Sequence, residues 1–349
     1  MEKSKNEKIF VKKIIIKPEN EKKISRQFRS LMTIGNKSSY VTQLKDITLN
    51  NNNSEIIFSF IDNGIDLYSL INSRVFDYRN QPNLIKWILF QILKGLETIH
   101  SLNIIHRDIN PKHILISAKG ETKICGFRNS INDIESKFVV DKVVGELPYI
   151  APECLLKLNF NNKIDIWSVG ILMLELYYKK TMFFKITEED RKKSDPNKLL
   201  FKQLKYLANF FKIPFNFSEN NINNEELIYW LTNNTKFDDK NFKEIFKDNP
   251  ELDEDCLELL KRLLCFNPKE RISAKEALKM PYFHSFQNFN KDEFKKSKSK
   301  NNEDLSIFLK NLEKEFPKIN DLPQDKKNEV LKKEFYKISQ YRPKTISNI

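Results

Sequence analysis

Cysteine is scarce in this sequence. Only four of the 349 residues are cysteines, and no two of them stand at the spacing of a metal-ligand pair: Cys125, Cys154, Cys256 and Cys265. Scattered cysteines are typical of buried, reduced thiols. We therefore do not expect a cysteine-based metal site, and we predict a cytoplasmic or nuclear location.

Long apolar runs are missing as well. No stretch of about 18 uninterrupted apolar residues occurs, which argues against a membrane-spanning helix. The first residues, MEKSKNEKIFVKK, carry charges but no apolar block followed by small residues, so they do not resemble a secretory signal. The sequence therefore predicts no association with a membrane.

Acidic residues are outnumbered by basic ones. The chain has 60 lysines and arginines against 47 aspartates and glutamates, a formal net charge of +13 at pH 7. A basic balance indicates an acidic partner such as nucleic acid. Here, however, the lysines are interleaved with acidic residues along the whole chain, and no basic-aromatic motif of an RNA-binding module occurs. We therefore do not expect nucleic-acid binding.

The spacing of apolar residues is mostly that of strands before residue 80. Residues 8–16 alternate and are β-branched, which predicts a strand, and residues 40–47 and 56–61 are similar. Between them the run KISRQFRSLM has apolar residues at helical spacing, at Ile24, Phe28 and Leu31. This part of the chain is therefore predicted to be small and mainly β with one helix.

The spacing changes to that of helices after residue 80. Residues 83–100 form a strongly apolar helical pattern, and residues 165–178 are apolar nearly all round, which predicts a buried helix. Residues 181–250 are polar and rich in asparagine, and residues 287–349 are basic. We predict an N-terminal part at 1–63, a helical part at 64–286 with an insert at about 181–250, and a tail at 287–349 that is partly helical or disordered.

Five short motifs follow one another along this helical part. They are HRDINP at 106–111, KICGFR at 123–128, APE at 151–153, DIWSVG at 165–170, and Arg271 within NPKERIS. In this order and spacing they resemble the protein kinase family. The run at 252–283 resembles most the cyclin-dependent kinase and MAP kinase group, called CMGC. The resemblance extends over residues 8–286.

The resemblance implies an α+β, protein kinase-like two-lobed fold, with a truncated β-rich N-lobe and a mainly α-helical C-lobe. The cleft between the lobes would lie near residues 58–66. By the same resemblance, Glu153 and Arg271 match a buried salt bridge of the large lobe, and Asp165 matches the residue that braces the catalytic loop. Arg107 would help to hold that loop together. The scaffold of the family is therefore expected to be present.

The nucleotide-binding residues implied by the resemblance are incomplete. No glycine occurs before Gly35, so the glycine-rich loop that covers the phosphates is missing from this sequence. Lys12 is the best match for the lysine that clamps ATP, with Lys13 as the alternative and an ordinary surface lysine as a third possibility. Gln27 stands where the family has the glutamate that holds this lysine, and Asp66 matches a ribose contact.

The two positions that bind magnesium in the family carry other residues here. Gly126 replaces the aspartate and His113 replaces the asparagine, while Arg128 adds a positive charge. Magnesium prefers oxygen ligands, and imidazole suits zinc better. We interpret His113 as packed beneath the cleft rather than as a new metal ligand. The sequence thus predicts no cofactor, with ATP bound weakly at most and magnesium not expected.

The catalytic loop keeps its base position and loses its lysine. Asp108 matches the proton acceptor, and Asn110 replaces the loop lysine. Glu146 matches a threonine that contacts the base, so a carboxylate there would repel Asp108. Because catalytic residues that act as a unit are non-additive, several losses together predict low activity. We therefore favour a structural role for Asp108.

The combined pattern predicts an inactive serine/threonine kinase, a pseudokinase. Such a protein would not be an enzyme and would bind a protein partner, such as an active kinase or a signalling protein, as a scaffold or allosteric regulator. A cyclin is not expected, because EKKISRQFRS does not resemble the helix that cyclins grip. Two alternatives stay open. One is an atypical active kinase that transfers the γ-phosphate of ATP with Asp108 as base, and the other is nucleotide binding without catalysis.

Overall fold

The computed structural model describes most of the part that resembles a kinase. The described residues are 9–50, 54–72, 82–117, 120–136, 143–178, 195–210 and 252–286. Of the predicted insert at 181–250, only residues 195–210 belong to them, and the predicted tail at 287–349 lies outside them. The proposed division of the chain into these parts stays a prediction.

Within these residues the N-terminal part is a small sheet with one helix. Its elements are β1 (Ile9–Ile15), α1 (Glu21–Ile34), β2 (Leu44–Leu49) and β3 (Glu55–Ile61). The short strand β4 (Ile65–Asp66) and the short helix α2 (Leu67–Ile71) follow. The order in the sheet is β1-β3-β2, with both pairs antiparallel. The strands predicted from alternation are therefore present, although β2 begins four residues later than expected.

Helix α1 is present as predicted, and its buried face matches the predicted one in part. Its buried residues are Gln27, Ser30, Leu31 and Ile34, whereas Phe28 is 41% exposed. Ser30 hydrogen-bonds the hydroxyl of Ser130 at 2.8 Å, 100 residues further along the chain. Leu31 is therefore buried as predicted and Ile24 packs against the core, but Phe28 lies outside the buried face, because α1 turns a partly polar face toward the segment after Gly126.

The C-terminal part is mainly helical. Its elements are α3 (Pro82–Ser101), β5 (Ile104–Ile105), β6 (Ile114–Ile116), β7 (Thr122–Ile124), β8 (Ile131–Asn132), α4 (Asp133–Ser136), α5 (Pro152–Leu155), α6 (Lys163–Tyr178), α7 (Pro196–Phe210), α8 (Glu254–Leu263) and α9 (Ala274–Ala277). Short 3₁₀ turns occur at Pro111–His113, Phe127–Asn129, Leu147–Tyr149 and Pro281–Phe286. A sheet with one helix before a helical part confirms the α+β class.

Helices α3 and α6 form the centre of this part. From Ile164 to Tyr177, every residue of α6 is buried, as predicted from its apolar sequence. Helix α3 packs against the chain end of the described part, where the ring of Phe90 lies 5.5 Å from that of Phe286. Among the described residues, no helix is both long and apolar enough to cross a membrane.

Candidate active site

The loop after β5 is anchored by a buried carboxylate from α6. Asp165 accepts hydrogen bonds from the backbone N–H of His106 at 2.9 Å and of Arg107 at 2.8 Å. It also contacts Nε2 of His100 at 2.9 Å. Arg107 adopts a positive φ of 66°, a strained conformation for a residue with a side chain, which these bonds hold in place. The loop is therefore fixed to α6, which is buried along nearly its whole length.

Electrostatics keep Asp165 in its charged form. Burial alone would raise the pKa of Asp165, but the hydrogen bond and the charge of His100, together with His106, lower it below its ordinary value. His106 itself is fully buried, and burial lowers its pKa. Its Nε2–H donates to the carbonyl of Cys125 at 2.8 Å, which fits a neutral imidazole.

Asp108 lies on this loop with both carboxylate oxygens occupied by amide donors. The side chain of Asn110 donates to Oδ1 at 2.8 Å, and that of Asn129 donates to Oδ2 at 2.9 Å. The Asp108 side chain is 11% exposed. It borders a cavity that is also lined by Gly145, Glu146 and other residues of the segment before α5. A reacting group that enters this cavity would meet an oriented carboxylate.

Asn110, which replaces the loop lysine, belongs to the framework of the loop. Its Oδ1 accepts the backbone N–H of Lys112 at 2.9 Å and caps the 3₁₀ turn at Pro111–His113. With 1% of its surface exposed, it has no freedom to reach a substrate as a long lysine would. Its contribution is to hold Asp108 by an uncharged hydrogen bond.

The ring of His113 fills the space that a side chain at residue 126 would need. A β-carbon on Gly126 would lie 2.4 Å from Cδ2 of His113, and Gly126 adopts a φ of +89°. The Nδ1–H of His113 donates to the backbone carbonyl of Asp108 at 2.8 Å. No group of three or more His, Cys, Asp or Glu residues suited to a metal occurs in the described ranges. The residues at these two positions do not fit magnesium, and no step below runs through a metal ion.

Lys12 and Lys13 point to opposite faces of β1. Lys12 is directly opposite the buried Phe58 of β3 and is half-buried. Burial and the charge of Arg128 lower the pKa of Lys12, and none of the described residues forms a hydrogen bond or ion pair with its ammonium. Lys13, by contrast, forms an ion pair with Glu55 at 2.7 Å.

Gln27 and Asp66 were also expected at the nucleotide site; Gln27 is buried on α1, whereas Asp66 caps α2. Gln27 on α1 is 2% exposed, and its Oε1 has no hydrogen-bond partner among the described residues. Asp66 caps α2, since it accepts the N–H of Ser69 at 2.8 Å and its hydroxyl at 3.0 Å. The roles of Lys12 as a clamp and of Asp66 as a ribose contact stay predictions.

Glu153 and Arg271 form a fully buried ion pair. Nη1 of Arg271 donates to Oε1 at 2.7 Å and Nη2 donates to Oε2 at 3.0 Å, across 118 residues. Arg271 also donates to the carbonyls of Cys265 and Lys163, which leaves little of its donor capacity unused. The pair ties α5, which follows the segment bordering the cavity, to the chain after α8.

Two features of the site were missed from the sequence. Asn129, which orients Asp108, directly follows the KICGFR motif but matched no expected role. Glu146 was expected to face Asp108, yet its carboxylate lies 2.5 Å from the ammonium of Lys112. No local sequence pattern predicted that Lys112 and Glu146 would meet, because they are 34 positions apart. The expected repulsion is therefore replaced by an ion pair.

Comparisons with known proteins agree with this geometry. The protein kinase domain model matches residues 1–283. Mitogen-activated protein kinase 13 of Arabidopsis thaliana is 27% identical over 294 residues, covering 82% of this chain and 75% of that protein. Mitogen-activated protein kinase 8 of the same plant is 34% identical over 212 residues, covering 59% of this chain. The chain spans only 33% of the length of the latter protein.

A solved structure is similar as well. The yeast RNA Pol II CTD kinase CTDK-1 complex contains a chain that is 25% identical and superposes with a TM-score of 0.60. The match covers 79% of this chain and 85% of that chain. The predicted kinase fold is thereby confirmed.

These matches overturn two predictions. A protein kinase domain with MAP kinase relatives points to an enzyme, so the prediction of a non-enzyme was wrong. Protein kinases use ATP with magnesium, so the prediction of no cofactor, with ATP weak at most and magnesium not expected, was wrong too. Both errors have one physical cause. Magnesium keeps several waters and is held largely by substrate phosphates, so Gly126 and His113 alone do not decide its use.

The kinase fold, the anchored Asp108 loop and the match over 1–283 lead to one assignment. The relatives are MAP kinases and the similar solved structure is a CTD kinase, which places the chain in the CMGC group. The chain belongs to the protein kinase family, as a serine/threonine protein kinase domain of the CMGC type.

Proposed function

We propose that the chain is an atypical serine/threonine protein kinase that transfers the γ-phosphate of ATP to a protein hydroxyl, with Asp108 as the base. The observation that carries the proposal is the arrangement of Asp108. Two neutral amides, from Asn110 and Asn129, donate to its two oxygens at 2.8 and 2.9 Å. Among the residues that the structure describes, no arginine or lysine forms an ion pair with this carboxylate, and the nearest ring nitrogen, Nδ1 of His113, lies 3.4 Å from Oδ2.

An oriented carboxylate at the edge of a cavity suits proton transfer. Each carboxylate oxygen has two acceptor sites, and one amide uses only one of them. A hydroxyl group entering the cavity beside Asp108 can therefore donate to the site left over. Asp165 prevents the loop from moving away, since it holds the N–H groups of both His106 and Arg107. The residues thus supply positioning, on which phosphoryl transfer chiefly depends.

Lys12 supports the same proposal from the other side of the cleft. Its ammonium is half-buried, and the described residues provide neither a carboxylate nor a hydrogen-bond acceptor for it. The phosphates of ATP carry the negative charge that would complete this site. Arg128, which is exposed, adds positive charge near Lys12. In this assignment Lys12 binds the nucleotide, and Asp66 lies at the end of the β3–α2 connection as the ribose contact.

A phosphotransfer assay with purified protein tests the proposal. Wild type, Asp108→Asn and the matched exposed variant Asp46→Asn are incubated with labelled ATP, magnesium or manganese, and myelin basic protein. We expect transfer by wild type and Asp46→Asn, and a loss of about 100-fold or more in Asp108→Asn. A wild-type rate that does not exceed the Asp108→Asn rate with either metal contradicts the proposal.

A cytoplasmic or nuclear location and a protein partner belong to the same proposal. All four cysteines are free, and burial raises the pKa of Cys125 and of Cys256 to about 12 each. Thiols of this kind suit a reducing compartment. The partner is at least the protein that supplies the hydroxyl. Microscopy of the tagged chain that found it secreted would contradict the location.

A further inference from the structure

Lys112 connects three segments around the site. Its ammonium lies 2.5 Å from Oε1 of Glu146 and 5.3 Å from the centre of the Tyr68 ring. Lys112 belongs to the 3₁₀ turn that continues the catalytic loop, Tyr68 to α2, and Glu146 to the segment before α5. One side chain therefore bridges the loop that carries Asp108 and the segment that faces it.

The segment with Glu146 crosses directly over the base. A β-carbon on Gly145 would lie 2.9 Å from the carbonyl oxygen of Arg107 and 3.5 Å from Oδ1 of Asp108. Only a glycine allows so close an approach, and its φ of +102° also favours glycine. Glu146 is the next residue, so the Lys112–Glu146 pair stands at the wall of the cavity beside Asp108.

The pair also solves an electrostatic problem at this wall. Glu146 is a second carboxylate on the lining of the cavity that Asp108 borders, and like charges repel. Lys112 neutralises Glu146. The side chain of Asn110 accepts the backbone N–H of Lys112 and donates to the Asp108 carboxylate, so it connects the two. Loss of either member would leave an unpaired charge next to the entrance of the cavity.

We propose that Lys112 and Glu146 are positioning residues for the protein substrate, an inference that rests on the proposed kinase activity. Their ion pair, here called the 112–146 clasp, holds the segment before α5 against the catalytic loop. It thereby sets the width of the cavity through which the acceptor hydroxyl reaches Asp108. The clasp lies on the acceptor side and makes no contact with Lys12, so the binding of ATP does not depend on it.

The exposure of the clasp sets the size of the expected effect. The side chains of Lys112 and Glu146 are 44% and 37% exposed, so solvent screens their attraction. Exposed pairs of this kind change an equilibrium by about two- to five-fold. The clasp therefore contributes little to global stability, and its loss is expected to act on the local segment and on the acceptor.

Kinetics and hydrogen exchange of the full chain test the clasp. The variants are Lys112→Met, Glu146→Gln and the charge swap Lys112→Glu with Glu146→Lys. We expect each single variant to raise the KM for myelin basic protein about two- to five-fold, with the KM for ATP unchanged. The swap should return the KM to within about two-fold of wild type, because it restores the attraction. Amide exchange in residues 143–150 should be faster in both single variants.

Lys94→Met is the matched control. Lys94 pairs with Glu97 at 3.0 Å on α3, with similar exposures of 38% and 33%. This variant should change neither KM nor the exchange of residues 143–150. Unchanged amide exchange in the Lys112 and Glu146 variants contradicts the clasp, even if the wild-type protein shows no kinase activity. An active wild type with an unchanged acceptor KM overturns the positioning role alone, whereas a wild type no faster than Asp108→Asn refutes the proposed function.

Discussion

The imidazole ring of His113 lies directly over Gly126, so closely that a β-carbon at residue 126 would approach Cδ2 of the ring to 2.4 Å. The ring therefore fits here only because residue 126 is a glycine. The ring is held from its other side, since Nδ1–H donates to the carbonyl of Asp108 at 2.8 Å. The residues at the two positions, which the sequence presents as separate losses, therefore form one packing unit beside the catalytic loop.

This packing unit predicts a strong coupling in stability. Gly126→Ala should lower the free energy of unfolding by about 2–4 kcal/mol, because it combines a left-handed backbone with a clash against His113. In the His113→Ala background the same change should cost only about 1–2 kcal/mol, the backbone contribution alone. Urea unfolding of the four proteins measures the coupling. Equal costs in both backgrounds would mean that the ring does not restrict residue 126.

The buried ion pair should dominate the stability of the helical part. Glu153→Ala removes the partner of a fully buried guanidinium and is expected to cost about 3–5 kcal/mol. The control is Glu258→Ala, whose partner Arg262 lies at 3.0 Å on the exposed face of α8. That change should cost less than about 1 kcal/mol. Thermal unfolding with similar losses for both variants would argue against a special role of the buried pair.

Asn129 should affect turnover through Asp108. Asn129→Ala removes the donor to Oδ2, so we expect kcat to fall by about 10-fold, with the KM for ATP unchanged. Because Asn129 acts through the base, the same change in an Asp108→Asn background should have no further effect. Steady-state kinetics of both pairs measure this. Additive losses would show that Asn129 acts on the reaction by another route.

Stability should fall in mild acid because of His106. Its pKa is lowered in the folded state by burial, so below about pH 6.5 the unfolded chain binds a proton that the folded chain does not. The free energy of unfolding should therefore decrease from pH 6.5 downward, by at most about 1.4 kcal/mol per pH unit for this group. The titratable groups that face it are Asp165, His113, Asp108 and the segment of Cys125.

Two histidine variants isolate this contribution. His106→Gln keeps an amide donor for the carbonyl of Cys125 but cannot titrate, so the slope of stability against pH between 7.5 and 5 should become shallower. His284→Gln, at an exposed position, should leave the slope unchanged. Chemical denaturation at several pH values provides the slopes. An unchanged slope in His106→Gln would assign the acid sensitivity to other groups.

Local features of the site were predictable from the sequence. Alternating β-branched residues mark β1, and the unbroken apolar run of α6 marks a buried helix, because both depend on neighbours within a few residues. The order of the motifs indicated the kinase family, which the match over 1–283 shows. The face of α1 was not predictable in the same way. Its buried side includes Ser30, whose hydrogen-bond partner Ser130 lies 100 residues further along the chain.

The inactivity predicted from residues 113 and 126 shows a second limit. The identity of a residue shows which metal ligand is missing at its position, but not which contacts the other side chains of the site make. Glu146 illustrates this, since the sequence predicted that its carboxylate would repel Asp108. In the folded chain, Lys112 lies 2.5 Å from it. The effect of a charged side chain therefore depends on which charged partner the fold places beside it.

The amino-acid sequence alone determined the family and the α+β class, because these are encoded in local patterns and in fixed motifs. Only the tertiary structure decided which side chains meet: Arg271 with Glu153, His113 with Gly126, and Lys112 with Glu146. The physical reason is distance along the chain. Contacts between residues far apart in sequence depend on how whole elements pack, and no local pattern records that packing.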